Sequence, residues 1–169
     1  MAVPTLLAGE LPDSDKWASI LSFLGYGVIK AANETVNNST TLQADDELLL
    51  TFSRNCIHVV RASIIHNSNS TADFKFRFNE TTGSVGATAA FDVIAIPAGG
   101  AGLTIQSGTV GTVFTGEGAG ADRAMVVQGW ISLGGTNNGT LKVEWAQNTA
   151  DASNTQVKAN SWLELRRIS

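Results

Sequence analysis

Apolar and polar residues alternate strictly in several stretches of the chain, which is the period of a β-strand with one buried face. In residues 74–79 every second residue is Phe, and in residues 141–146 Leu, Val and Trp alternate with Lys, Glu and Ala. Two longer apolar runs, residues 56–65 and 125–133, predict more deeply buried strands. Weaker strand candidates cover residues 47–52, 88–96, 103–106, 109–114 and 161–168.

Turn-forming residues separate these runs. Asn138–Gly139 lies between two strand patterns and predicts a hairpin, and Gly129 inside its run predicts a bulge. Eight or nine short strands at this spacing predict an all-β fold, an antiparallel β-sandwich of jelly-roll type. A short N-terminal helix or arm precedes it.

The helical signal lies near the start of the chain, after the turn residues 12–14. Four apolar residues have the spacing of one helix face: Trp17, Ile20, Leu21 and Leu24. A helix of about ten residues is not stable alone in water, so this face must dock. It packs either on its own domain or, as an attachment arm, on a neighbouring subunit or larger assembly. We therefore divide the chain into an arm, residues 1–27, and a sandwich, residues 28–169.

The amino-acid composition excludes several classes of binding partner. Charged residues make up only 15% of the chain, against about 25% in ordinary soluble proteins, and the net charge is −4. We expect no nucleic-acid partner, because such proteins carry a basic patch, and no membrane partner, because no apolar run approaches about 20 residues. The opening residues lack the pattern of a secretory signal, so folding in a cytoplasm is expected.

The residue types that carry catalysis or metal binding are sparse. Asp45-Asp46-Glu47 could hold calcium, but a solvated turn before a strand is favoured. His58 and His66 could share a strand face, yet at about 26 Å apart they cannot share a metal. Cys56 is expected to be a small buried apolar residue. The glycine-rich residues 116–120 lack a phosphate-loop spacing and predict a strand connection. We expect no catalytic residue, metal or cofactor.

The tryptophans divide between core and surface. Alternation assigns Trp145 to the core with its apolar neighbours. Trp162 shares the outward side of its strand with Glu164 and Arg166, which favours an intersubunit contact over a sugar platform. Few charged residues protect the exposed sheet edges of such a sandwich, so another element must cover these edges. A closed ring of identical copies covers them. Trp162 is therefore the candidate for an oligomer interface.

Four segments together resemble small structural proteins of tailed bacteriophages, variously head decoration proteins, head fibres or minor tail proteins. They are TVNNSTTL (residues 35–42), ADFKFRF (residues 72–78), GTLKVEWAQNTAD (residues 139–151) and VKANSWLELRRI (residues 157–168). The resemblance covers residues 31–169, and residues 8–13 before the helix are similar to the attachment arm of phage fibre and tail proteins. It implies a β-sandwich, usually trimeric and displayed on a virion, without catalytic residues.

The leading hypothesis is a non-enzymatic capsid decoration protein, made in the host cytoplasm and exposed on the virion. Its arm, with Trp17, Ile20, Leu21 and Leu24, would anchor it, and its partners would be its own copies and the major capsid or tail proteins. The alternative is a minor tail or receptor-binding tip protein that recognises a host glycan. Trp162 and the loops at residues 99–102 and 134–139 would then bind the sugar.

A carbohydrate-cleaving enzyme is a third and disfavoured hypothesis. It needs two carboxylates about 5–9.5 Å apart across a cleft. The candidates all fall in predicted turns with nothing to pair them: Asp45, Asp46, Glu47, Glu117 and Asp122.

Overall fold

Strands alone, with no α-helix, make up the regular secondary structure of the described residues, 26–81, 87–100, 102–134 and 138–168 of a computed structural model. The helix predicted near the N-terminus, with Trp17, Ile20, Leu21 and Leu24, lies outside this part. No helix long and apolar enough to cross a membrane occurs within these ranges. The strands are β1 Tyr26–Ile29, β2 Glu34–Asn37, β3 Gln43–Phe52, β4 Cys56–Asn67, β5 Phe74–Glu80, β6 Ala87–Ala95, β7 Thr104–Gly108, β8 Phe114–Gly116, β9 Arg123–Leu133, β10 Gly139–Gln147, β11 Asn154–Val157 and β12 Trp162–Arg167.

These strands form two antiparallel sheets packed face to face. The large sheet has the order β1-β12-β4-β9-β6-β7, and β11 joins it by pairing with β4 and β2. The small sheet has the order β3-β10-β5-β8. Tyr26 and Gly27, assigned above to the arm, belong to β1 and pair with β12. The segment preceding the sandwich therefore ends at residue 25.

The connections define a jelly roll, as predicted. The eight principal strands in chain order are β1, β3, β4, β5, β8, β9, β10 and β12. The large sheet takes the first, eighth, third and sixth of them, and the small sheet the second, seventh, fourth and fifth. This is the jelly-roll order, in which the chain folds back on itself across two sheets. The β6–β7 hairpin is inserted between the fourth and fifth strands and widens the large sheet beyond β9.

An aromatic layer fills the space between the sheets. Phe74, Phe76 and Phe78 all point inward from β5 and are fully buried, as their alternation predicted. The ring of Phe78 lies 4.8 Å from that of Phe91 on β6, which joins the two sheets directly. Trp145 on β10 is also fully buried, 6.0 Å from Phe74, which confirms its assignment to the core.

The predicted Asn138–Gly139 hairpin is wrong. The strands on either side of it, β9 and β10, belong to different sheets, and Gly139 pairs with Phe52 of β3. A Cβ atom at Gly139 would lie 2.8 Å from the Phe52 ring. The glycine therefore permits close packing where the chain crosses between sheets.

The bulge predicted at Gly129 is also absent, because the pairing of β9 with β4 and with β6 continues through it without a shift. A Cβ atom there would lie 2.3 Å from the Ala90 carbonyl oxygen and 2.7 Å from the Phe91 ring. Position 129 is therefore a glycine because there is no space for a side chain between β9 and β6. The pairing of β10 with β3 does shift, between Lys142 and Glu144.

Candidate functional site on the outer face of the large sheet

The outer face of the small sheet is polar and internally paired. Glu144 on β10 accepts hydrogen bonds from the Arg77 Nε and Asn79 Nδ2 atoms, both 2.8 Å away, and lies 2.9 Å from Lys142 Nζ. Burial alone would raise the pKa of Glu144, but hydrogen bonds from Asn79, Lys142 and Arg77 outweigh it and lower the pKa to about 2. The carboxylate stays charged and this face satisfies its own polar groups.

The outer face of the large sheet carries many exposed apolar side chains. Seven large apolar side chains on it are more than a third exposed: Ile29 (68%), Ile105 (67%), Ile168 (50%), Val126 (46%), Ile94 (41%), Trp130 (38%) and Ile57 (37%). We call the outward side of β12, β4, β9, β6 and β7, with Ile168, the outer apolar face. Contiguous apolar surface of this kind usually marks a contact with another protein surface.

Strand register arranges the outer apolar face in rows. Val59, Trp130 and Ala90 lie directly opposite one another on β4, β9 and β6, with Arg166 at the β12 end; this is the tryptophan row. The next row, two residues further along each strand, is polar. The row beyond that one is apolar and contains Val126, Ile94 and Ile105. The twisted sheet forms a groove of about 610 Å³ over these rows.

Trp162 lies on this face at its β1 edge. Leu163 and Leu165 are buried while Trp162 is half-buried on the outward side, as alternation predicted. Opposite it on β1 is Ile29, whose side chain is 68% exposed. Two apolar side chains therefore lie side by side on β12 and β1, and β1 is the edge strand of the large sheet in the described part of the chain. The assignment of Trp162 to an oligomer interface stays a prediction.

The proposed sugar-binding elements do not lie together. Gly99 and Gly100 belong to the connection after β6, which ends where Ile94 faces Val126 of β9. Gly134 follows Leu133 at the other end of β9. Seven residues of strand separate the two ends, about 24 Å. One ligand the size of a few sugar rings would therefore not reach both loops and Trp162.

The acidic cluster is a buried ion-pair site and not the solvated turn favoured above. Asp45 and Glu47 are part of β3, and Asp45 is 1% exposed. Lys30 Nζ lies 3.0 Å from Asp45 Oδ1, 3.0 Å from Glu34 Oε2 and 3.6 Å from Glu47 Oε1. The Lys30 ammonium thus fills the place a cation would take. Nowhere in the described ranges do three metal-ligating side chains group for a metal ion.

This cluster fastens the chain after β1 to the small sheet. Asp45 Oδ1 also accepts the backbone N–H groups of Glu47 and Leu48, at 3.0 and 2.8 Å, and Glu47 accepts that of Ala31 at 2.7 Å. Burial alone would lower the pKa of Lys30, but its hydrogen bonds to Asp45 and Glu34 and the charges of those residues raise it. The lysine remains protonated and its role is structural.

Both histidines face the core from β4. His66 stacks on Phe74 with ring centres 4.4 Å apart, and His58 meets Phe52 edge-on at 5.6 Å. Burial, with a smaller effect of Arg167 on His58 and of Arg123 on His66, lowers the pKa of each to about 4. Cys56, on the same side of β4, is buried as predicted. These residues pack the interior.

The glycine-rich connection after β8 uses its backbone donors internally. The Gly118 N–H donates to Asp73 Oδ1 at 2.7 Å, and the Gly120 N–H donates to the Ser68 carbonyl oxygen at 2.7 Å. Donors engaged in this way do not cradle a phosphate. Nearby, Glu117 pairs with Arg123 at 3.3 Å. The segment is a strand connection, as predicted.

The strand order and the apolar outer face define a jelly-roll β-sandwich with a surface suited to protein contacts.

No protein-family model and no curated protein matches this chain. A chain in the structure of the infectious bursal disease virus Gx strain covers 85% of it at 13% identity, with a TM-score of 0.22. One in the crystal structure of that virus's VP2 subviral particle covers 85% at 12% identity, with a TM-score of 0.24. This chain spans 42% and 41% of their lengths. At these TM-scores, the fold assignment rests on the strand order alone.

Replacing Lys30 by Met is expected to lower the free energy of unfolding by about 3–5 kcal/mol, because it leaves Asp45 buried without its ammonium partner. The double variant Lys30→Met/Asp45→Asn should recover most of this loss, since an amide oxygen can still accept from Glu47 and Leu48. Urea denaturation measures both. As a control, Lys158→Met removes an exposed pair with Asp122, 3.9 Å apart, and should cost less than about 1 kcal/mol. Equal losses in the two single variants would contradict the role of the cluster.

Stability is expected to fall as the pH is lowered from about 6.5 to about 4. His58 and His66 are neutral in the folded chain down to pH about 4, whereas the unfolded chain protonates them near pH 6.5. The unfolded state therefore gains protons first, and roughly 1–3 kcal/mol per histidine is lost across this interval. Glu144 acts in a lower interval, between about pH 4.5 and 2. Denaturation curves of the wild type and of His66→Gln should differ in slope against pH; identical slopes above pH 4.5 would rule out the histidine contribution.

Proposed function

We propose that this chain is a non-enzymatic structural protein of a tailed-bacteriophage virion, a decoration protein on the outside of the capsid. The jelly roll is an architecture of viral capsid domains, although lectins and cupins share it, so the fold alone does not select a function. The phage-like segments at residues 139–151 and 157–168 support the choice. They include β10 and β12, which contribute to the core and to the outer apolar face.

The observation that carries this proposal is the outer apolar face. A soluble sandwich that acted alone would be expected to carry polar residues there, as the small sheet does with Glu144 and Arg77. An assembly protein instead keeps such a face for contact with its neighbours. Exposed apolar side chains extend over several strands of this face, on both sides of the polar row, which suits a protein surface better than a small substrate.

A non-enzymatic role is supported by the surroundings of the candidate carboxylates. Asp45 and Glu47 surround Lys30, Glu117 pairs with Arg123, and Asp122 accepts a hydrogen bond from Asn67 Nδ2 at 2.8 Å. Each of these four acids is engaged by a cation or an amide, and the fifth candidate, Asp46, is exposed on β3. The separation of the loops around Gly99 and Gly134 likewise favours decoration over a glycan-binding tail tip.

We also propose that the protein is a homotrimer, with the copies in contact near Trp162. Ile29 and Trp162 form an exposed apolar pair on the edge of the large sheet. Contact through this edge would cover the pair and the free strand edge together. In a closed ring each copy uses the same pair of surfaces.

Sedimentation of the purified protein is expected to give about 53 kDa, three times the 17.7 kDa of one chain. Trp162→Asp should convert it to a monomer, because a carboxylate at the contact would be desolvated. Leu49→Asp, a matched change at a residue 42% exposed on the small sheet, should leave the mass unchanged. A wild-type mass near that of one chain at micromolar concentration would contradict the trimer.

The virion role is tested by counting copies in purified particles. We expect many copies per particle by gel densitometry, in a fixed ratio to the major capsid protein, and binding to empty capsids. Removal of residues 1–25 should abolish incorporation if this segment attaches the protein. Undiminished incorporation would end the attachment role, and a few copies per particle together with binding to host envelopes would favour the tail tip.

A further inference from the structure

The tryptophan row is the part of the outer apolar face nearest to where the chain enters the sandwich. In the pairing of β1 with β12, Tyr26 lies opposite Leu165, and successive residues of β1 run away from Arg166. An extension of this register by one residue toward the N-terminus would fall opposite Arg166, at the end of the tryptophan row. The N-terminal end of β1 therefore lies beside this row.

The length of the apolar stripe in residues 17–24 fits the width of this row. From β1 across β12 and β4 to β9 is three strand spacings, about 14 Å. A helix over residues 17–24 is about 12 Å long, and Gly25 supplies the link to β1. With its C-terminal end at β1, such a helix reaches from Arg166 to Trp130.

We infer that residues 17–24 pack as an amphipathic helix across the tryptophan row of their own sandwich. The stripe of Trp17, Ile20, Leu21 and Leu24 would lie on Val59 and Trp130, and its exposed neighbours Ile57 and Ile168 would flank it. Residues 1–16 are then the part of the arm that remains to contact the capsid. The helix would cover only the tryptophan row, and the apolar row with Val126, Ile94 and Ile105 would remain for contact with neighbouring proteins.

Charge supports this direction of the helix. In the inferred placement its C-terminal end, at Leu24, would come beside Arg166, whose side chain is exposed. Cations stabilise the C-terminal end of a helix and anions its N-terminal end. Asp13, Asp15 and Lys16 precede the stripe at the opposite end and together carry one net negative charge, so both ends have the favourable sign.

Limited proteolysis of the full chain tests this packing, with chymotrypsin as the probe of residues 17–24. Packing should protect the bonds after Trp17, Leu21 and Phe23, because cleavage needs local unfolding of the segment. Trp130→Glu should speed these cleavages at least about tenfold by placing a charge under the helix. Leu49→Glu, on the small sheet, is the matched control and should leave the rate unchanged.

Ile168→Glu is the second variant, since it is half-exposed beyond the last strand and least able to disturb the fold. Circular dichroism and the thermal midpoint show whether each variant is folded. Faster cleavage in the folded groove variants, independent of protein concentration, supports packing on the same chain. Equal cleavage rates in wild type and folded groove variants would overturn it. Protection that disappears on dilution would also overturn it, in favour of a second copy on this face.

Discussion

The structure depends on the contact between the two inner sheet faces through their aromatic layer. The ring of Phe78 from the small sheet meets that of Phe91 from the large sheet at 4.8 Å. Since side chains of a strand alternate between faces, inward Phe residues on β5 force Arg77 and Asn79 outward, where they pair with Glu144. The polar outer face of the small sheet follows from the same alternation that builds the core.

Side chains of the large sheet also alternate between its two faces, but many of the outward side chains are apolar. Its strands β4, β6 and β9 carry apolar residues on both sides of a polar row, and alternation places Val59, Ile94 and Trp130 outward. Burial of such residues stabilises by roughly 1.5–3 kcal/mol for each side chain that leaves water completely. A sheet with two apolar faces needs cover on both, as in folds where a helix or another subunit lies on the outside. We therefore propose that the outer apolar face is covered in the working protein.

One group of buried charges joins the sheets at the end where the chain enters. Lys30 follows β1 of the large sheet, and its ammonium lies between Asp45 of β3 and Glu34 of β2. Such a group is expensive to desolvate and is tolerated when its charges are paired. It therefore helps to fix the position of β1 at the edge of the large sheet.

Alternation was sufficient to predict the class of fold, the longer strands and the burial of Phe74 and Trp145. It failed where the deciding partner is distant in sequence. Asn138–Gly139 has the residue types of a hairpin turn. The chain nevertheless crosses between the sheets there, because β10 pairs with β3 and β5 and not with β9. The sequence around Asp45 is typical of a solvated acid. Its partner Lys30 lies 15 residues earlier, so the local pattern does not indicate the ion pair. The short strands β2 and β11 carry too few apolar residues for a periodic signal.

The central claim, that the outer apolar face is covered in the intact protein, is tested most directly by hydroxyl-radical footprinting of the tryptophans in the full chain. Trp130 is 38% exposed on the sandwich, whereas Trp145 is fully buried and serves as an internal standard. If the face is covered, Trp130 is oxidised as slowly as Trp145. Oxidation of Trp130 at the rate of a solvent-exposed tryptophan would contradict the claim.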